Sequence, residues 1–449
     1  MRAIPFKRRS HWQQHILNNA YQAEVLSDGD QKYWVEALRQ PFYVQFASEE
    51  ETILAQATET LGKMCQDYLD WFFTDHEDGA VDQRLESLKI NKAYWEAIKL
   101  SWDRTDPEDF SLYTRFDLVM PENGGFPKMI EINGETPLLG CEQVYQWNWL
   151  QDMRSRRDGA LPVDANQFNE FWDTVGEQLR YIIKEYDIKG KVFSFLVDEK
   201  LNEDQEMAAQ LIQIIQDVVD PEQYCQIVYL RDQLDDQGLL MQRGIGLDDQ
   251  GYLVDHCSDR ILFLWKMYDW SDLQNDIENF GMTEIFAKRL ERGDMRILEP
   301  LWKQVLSNKG SMVYLWEQFK DHKDYGSYLL ATYFENDLGT EATRLILDTH
   351  IRKPMLGLEG VGTSLQTGLG SALEERESLG YGTEGFIVQE YVPLPTAYDY
   401  HYMVGSWLVG GLEDGEAAGM IIRGDQSRIT GRQCLIIPHI VSDSEILIS

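Results

Sequence analysis

Residues 115–134, RFDLVMPENGGFPKMIEING, constrain the fold more tightly than any other stretch of this chain. Two apolar runs flank a glycine-containing turn, and side chains on a strand alternate between faces. Arg115 and Asp117 therefore share one face, with Phe116 and Leu118 on the other. Glu131 and Asn133 share a face in the same way, opposite Ile130 and Ile132. A turn centred near Asn123-Gly124-Gly125 sets Asp117 across from Glu131 and Arg115 across from Asn133. Cross-strand partners point the same way, with Cβ atoms about 5 Å apart. The spacing predicts a hairpin with four polar groups clustered on one face and a packing surface behind them.

Two neighbouring carboxylates repel unless a cation or a proton lies between them. Asp117, Glu131 and an Asn133 amide oxygen are hard donors that suit Mg²⁺, which keeps waters and completes its shell with phosphates. Zinc would want His or Cys, and none is adjacent. Arg115 could grip a phosphoryl or carboxylate group with its fork. From these residues alone two alternatives stay open: a solvent-facing polar strand with an ion-paired arginine, and a glycosidase carboxylate pair.

The rest of the 449 residues exceeds one small core, so two or three packed lobes are expected. A net charge of −35 argues against a nucleic-acid partner, whose footprint would be basic. The five cysteines are scattered, with no Cys-x-x-Cys, as in a reduced cytoplasmic protein. No apolar region follows the basic N-terminus, and no run approaches the roughly 20 apolar residues of a membrane span.

The first ~75 residues read as helical, with Ile53, Ala57, Leu61, Met64, Tyr68 and Phe72 at three- and four-residue steps. Ser48 and Glu51 form an expected capping box. VFSFLVD (192–198), a helical stretch over 203–219, QIVYL (226–230) and ILFLWKMY (261–268) predict an α/β lobe. No GxGxxG follows its first strand, so a dinucleotide site is not expected. The last third is β-rich with glycine-dense turns. There Lys353 ends a strand before a loop containing Gly357, Gly360 and Gly362, and Lys309 opens a helical stretch. Glycine backbone and lysine charge suit phosphates, although the spacing is not a Walker A pattern. Gln389-Glu390-Tyr391-Val392 could offer its backbone to an adenine edge, and Arg423 sits at the end of an apolar strand.

These pieces occur together and in order: R-F-D…E-x-N-x-[DE]-T-P (115–137), E-P-x-W-K…S-N-K (299–309), K-P-…-G (353–360) and R-G-D (423–425). The set resembles the synthetase domain of the glutathionylspermidine synthase family, an atypical ATP-grasp fold of the α/β (α+β lobes) class, and is most similar to its stand-alone acid–amine ligases. The resemblance implies a helical N-terminal region over 1–110 and a metal-binding hairpin over 111–150. It further implies a pre-ATP-grasp-like α/β substrate lobe over 165–300 and an ATP-grasp nucleotide-binding region with a Gly-rich lid over 301–449. By the same resemblance Arg115 would stabilise a transferring phosphoryl group. Asp117, Glu131 and Asn133 would hold two Mg²⁺. ATP would be contacted by Arg115, Phe116, Asp117, Lys309, Lys353, Gly360, Gln389, Glu390, Tyr391 and Val392. Glu203 and Asp204 would face the amine, and Arg423 the acid.

The implied activity is an ATP- and Mg²⁺-dependent carboxylate–amine ligase working through an acyl phosphate. Its partners would be a small carboxylic acid, peptide-like or not, and an amine, with a polyamine suggested by the acidic balance and by Glu203 and Asp204. Three departures bear on this. The chain starts directly at the synthetase region, so no amidase activity is expected. The family's K-P-x-x-x-R-x-G has Leu358 at the arginine position, and its Lys-Thr after the strand at 261–265 is Lys266-Met267. Both point to altered substrate specificity. An alternative is a nucleotide-binding homologue that has lost ligation; another is a kinase that releases phosphorylated product.

Overall fold

The structure, a computed structural model, describes residues 1–10, 12–13, 33–121, 124–156, 161–234, 238–336, 339–368, 371–432 and 434–444. Two strands, β1 (Arg2–Pro5) and β2 (Phe42–Phe46), precede the long helix α1 (Ser48–Phe73). The N-terminal region is thus not helical throughout as expected. β1 lies antiparallel to β2, and β2 finds its other neighbour at the far end of the chain. Helix α1 buries Leu54, Ala57, Leu61, Met64, Tyr68 and Phe72 along one stripe, as its period requires. Its cap differs by one residue from the expected Ser48–Glu51 box. Glu50 accepts the backbone N–H of Ala47 at 2.9 Å, while the Ser48 N–H goes to Asp443. Shorter helices α2 (Ala80–Ser87) and α3 (Trp95–Asp103) follow.

The hairpin forms as β3 (Tyr113–Val119) and β4 (Lys128–Asn133). Its turn uses Gly124 and Gly125 at φ of 78° and 119°, values glycine adopts without a Cβ clash. Asn123 of the expected turn lies outside the described residues. Helices α4 (Cys141–Arg154) and α5 (Phe171–Glu185) lead into the α/β lobe. This lobe contains β5 (Phe193–Val197), α6 (Asn202–Ile214), β6 (Cys225–Tyr229), β7 (Phe263–Lys266), α7 (Trp270–Asn279), α8 (Thr283–Arg292) and β8 (Arg296–Leu298). Its parallel sheet runs β8-β7-β5-β6. Every residue of β5 is buried, as a strand covered on both faces demands.

Beyond it lie α9 (Lys303–Ser307), α10 (Ser311–Phe319), β9 (Thr332–Phe334), α11 (Thr340–Leu347), β10 (Thr349–Pro354), β11 (Ser364–Thr367), β12 (Ser371–Glu375) and β13 (Phe386–Glu390). These strands form a second sheet in the order β9-β13-β10-β11-β12. The last strands are β14 (Tyr400–Val409), β15 (Glu416–Asp425), β16 (Leu435–Ile437) and β17 (His439–Val441). The hairpin is not a separate unit from them: one antiparallel sheet runs β16-β15-β14-β3-β4. β17 runs parallel to β2 and closes the sheet begun at the N-terminus. The cysteines are free thiols. Among the described residues no helix is long and apolar enough to cross a membrane.

Candidate active site

The hairpin register is the one its sequence requires. Arg115 pairs with Asn133, Phe116 with Ile132 and Asp117 with Glu131. A bulge follows Asp117, so Ile130 is left between the paired positions. Bulges re-aim strand groups, and here the Ile130 carbonyl accepts from Lys353 Nζ at 2.9 Å. Arg115 donates to Asp117 Oδ1 at 2.9 Å and to the Leu138 carbonyl, and Asn133 Nδ2 donates to Asp117 Oδ2 at 3.1 Å. Arg423, two strands away on β15, donates to the same Oδ2 at 2.5 Å. Burial alone would raise the Asp117 carboxyl, but the Arg115 and Arg423 guanidiniums outweigh it and hold it below the ordinary value.

Gly405 of β14 makes room for this arrangement. It faces Asp117 on one side and Ile421 on the other. A Cβ there would stand 2.9 Å from Arg115 Cδ and 2.9 Å from Ile421 Cγ2. A glycine inside a long apolar strand is the signal that could have flagged it.

Lys309 lies between α9 and α10, 2.8 Å from Glu131 Oε1, and donates to the Gly357 carbonyl at 2.6 Å. Asn308 fixes this corner by donating to the Leu88 carbonyl and accepting the Gly310 N–H. Lys353 also donates to Gln389 Oε1 at 2.9 Å. Burial pushes Lys353 down to about 8 against the pull of Glu131. Glu131 is itself raised by burial, yet Lys309 and Lys353 bring it below the ordinary value. Asp117 and Glu131 are thus ionised neighbours with Asn133 beside them.

The E-P-x-W-K stretch braces the start of β3. Strand β4 ends opposite Arg115, so residues 112–114 have no β4 partner on that edge. The Glu299 carboxylate accepts the N–H groups of Leu112 and Tyr113, and Lys303 Nζ donates to the Tyr113 carbonyl at 2.7 Å. The pair is closed by a 2.6 Å bridge between buried side chains. It completes the sheet edge and holds the strand that carries Arg115 and Asp117.

The hairpin cluster, Lys309, Lys353 and Arg423 line one cleft of about 2500 Å³, its open mouth included. Of the residues expected from the sequence, Arg115, Asp117, Glu131, Asn133, Lys309, Lys353, Gly360, Gln389, Glu390, Tyr391, Val392, Glu203, Asp204 and Arg423 line it. Phe116 does not. Its side chain is fully buried in the hydrophobic core, because strand parity turns it away from Asp117. Gly360 has φ of 73°, and a Cβ on it would approach the Thr430 carbonyl to 2.5 Å, so the glycine loop packs closely on the 429–432 segment.

The end of the cleft beside the parallel sheet is acidic. Glu203 and Asp204 stand in the first turn of α6, past the C-terminal end of β5, where open α/β sheets place ligands. They are joined by Asp198, Glu135, Asp269 and Asp272, which the sequence reading did not single out. Burial, with Glu203 and Asp198 nearby, pushes Asp204 up to about 7. Burial pushes Glu135 to about 7 despite Lys266, and Asp272 to about 6. Leu358 and Met267 both line the cleft.

Hard oxygen donors in ionised form, set beside lysines and arginines, fit a divalent cation carrying phosphate ligands. Comparison with known proteins places the chain in a family. The glutathionylspermidine synthase preATP-grasp family matches residues 3–442. A putative acid–amine ligase of Haemophilus influenzae is 27% identical over 451 residues, covering 98% of each chain. Trypanothione synthetase of Crithidia fasciculata is 24% identical, over 78% of this chain and 50% of its own. The bifunctional glutathionylspermidine synthetase/amidase of Escherichia coli is 23% identical, over 89% of this chain and 59% of its own. Among solved structures, a glutathione synthetase-like effector of Globodera pallida superposes with a TM-score of 0.52 at 10% identity, covering 96% and 95% of the two chains. That likeness is one of fold. The chain belongs to the glutathionylspermidine synthase family.

Proposed function

We propose that this protein is a cytoplasmic ATP- and Mg²⁺-dependent carboxylate–amine ligase, acting on a small acid and a cationic amine and not on nucleic acid or membrane. The observation that carries the reading is the convergence of Arg115, Asp117, Glu131, Lys309, Lys353 and Arg423 at one wall of a cleft whose other end is lined by carboxylates. Mg²⁺ held by Asp117, Glu131 and Asn133 would neutralise phosphate charge and align the terminal phosphoryl group. Lys309 and Lys353 would bind the phosphates, the segment Gln389–Val392 the adenine, and Gly360 would let the lid backbone approach. Arg115 and Arg423 both bear on Asp117, so one guanidinium charge is left over at that point for the substrate's anionic oxygens.

In the reaction a carboxylate oxygen attacks the γ-phosphorus and ADP leaves with the electron pair of the broken P–O bond. The amine nitrogen then attacks the acyl carbon, phosphate departs, and the nitrogen loses a proton. Acyl phosphates hydrolyse, so the loop at 357–363, tied to Lys309 through the Gly357 carbonyl, would keep water out. The acidic corner favours ligation over a nucleotide-binding protein that has lost it, because nucleotide binding alone has no use for those carboxylates. Mass spectrometry of products formed from ATP, Mg²⁺ and pooled acids and polyamines tests the reading. An amide with one ADP per bond is expected, and Glu131→Ala should lower ADP release by at least about 100-fold. Near-wild-type ADP release by that variant would refute the phosphate-site assignment, and a phosphorylated product without amide would refute the ligase.

A further inference from the structure

We infer that the acid substrate is a monocarboxylic acid whose remaining chain is uncharged and largely apolar. This rests on the ligase reading and narrows its substrate class. A second carboxylate entering the cleft would have to find a cation or stay hydrated, since an unpaired buried charge is costly. Arg428 and Arg432 of the lid wall each face a carboxylate of their own. Arg428 Nε lies 2.6 Å from Glu374 Oε1, and the other oxygen of that carboxylate takes the Arg428 backbone N–H and the Ser427 hydroxyl. That pair is fixed by the loop that carries it. Arg432 faces Glu359 of the glycine loop at 3.7 Å.

Arg423 differs. One of its terminal nitrogens holds Asp117, while the side chain, 12% exposed, still lines the cleft. It is therefore placed to meet one anionic group, the reacting carboxylate. Between these ion pairs the lid wall presents apolar side chains to the cleft: Leu356, Leu358, Val361, Tyr381 and Ile429. Leu358 is 44% exposed, an apolar side chain turned to a cleft and not into the core. A cleft that fixes one end of a ligand with polar groups and encloses the rest with apolar ones is the usual form of a small-molecule site. The opposite end repels a second carboxylate through Asp198, Asp204, Asp269 and Asp272.

The test traps the acyl phosphate with hydroxylamine, so no amine needs to be known. Hexanoate and adipate, equal in length and differing by one carboxylate, are compared with glutathione in the presence of ATP and Mg²⁺. The hydroxamate and ADP formed are measured with the full-length protein. Hexanoate should exceed adipate in kcat/KM by at least about tenfold, and Leu358→Arg should shift that ratio toward adipate by a similar factor. Adipate or glutathione turning over as well as hexanoate would overturn the inference and leave the ligase standing. A ratio unmoved by Leu358→Arg would overturn the assignment of this wall. Absence of ADP and hydroxamate with every acid would overturn the inference together with the ligase reading.

Discussion

Replacing Gly405 by alanine separates the geometry of the proposed phosphate site from its chemistry, because no charged group is altered. The new methyl would stand 2.9 Å from Arg115 Cδ and 2.9 Å from Ile421 Cγ2. Ordinary carbon contacts lie near 3.5–4.0 Å, so Arg115 must retreat by roughly 0.6–1.1 Å. Ile421 is fully buried, so the side of the strand facing it cannot give way easily. Overpacking of this kind costs about 1–3 kcal/mol. Removing a glycine from a strand interior returns about 0.5–1 kcal/mol of that. The net loss of stability is therefore about 0–2.5 kcal/mol, small enough to leave the protein folded. With Arg115 in its proposed role on the transferring phosphoryl group, a displacement near 1 Å should lower the rate by about 100-fold. The assay is ADP release under saturating ATP and acid, with a thermal melt run in parallel. The reasoning is refuted if kcat stays within twofold of wild type, or if the lost rate is matched by lost folded protein.

Other outcomes follow from the same site. Lys353 is depressed to about 8 from the roughly 10.4 of a free lysine, so its charge is lost as pH rises through the folded value. kcat/KM for ATP should fall above about pH 8, with the inflection in kcat at higher pH because bound phosphates restore the charge; a flat profile to pH 9 would contradict this. Glu135, Asp204 and Asp272 titrate in the folded state at about 7, 7 and 6, above the roughly 4 of an unfolded carboxyl, so the folded state holds the extra protons. The stability they contribute is complete below that unfolded value and is lost as pH rises through the folded values. The melting temperature of the ligand-free protein should decline between pH 5 and 8, and spermidine should raise it more at pH 8 than at pH 5. Lys303→Met leaves Glu299 buried without its 2.6 Å partner and should cost about 3–5 kcal/mol, measurable by denaturant unfolding.

Much of the site was readable because the hairpin is local. Strand alternation and a glycine turn set the register of Arg115, Asp117, Glu131 and Asn133 without knowledge of anything distant. Motif order then supplied Lys309, Lys353 and Arg423, and three strands of the parallel sheet, β5, β6 and β7, emerged from their apolar runs, while the three-residue β8 did not. Phe116 shows the limit of carrying a motif over whole, since its own strand parity already assigned it to the core. β1 escaped notice because a four-residue strand has meaning only beside β2, which is itself stabilised by β17. Asp269 and Asp272 were hidden for the same reason: their importance lies in neighbours that periodicity does not reveal.

The bridge from Asp117 to Arg423 joins residues 306 positions apart. During synthesis the chain emerges with Asp117 early and Arg423 almost last, and β14, which separates them, also comes late. A ribosome-bound intermediate can therefore own the lysines, the glycine loop and the acidic corner while lacking β14, β15 and β16 of its central sheet. The proposed phosphoryl-transfer site is complete only when the final strands dock. Slow, non-local closure of this kind is the step most exposed to misfolding, and on the ligase reading a stalled or truncated product would be inert from the outset.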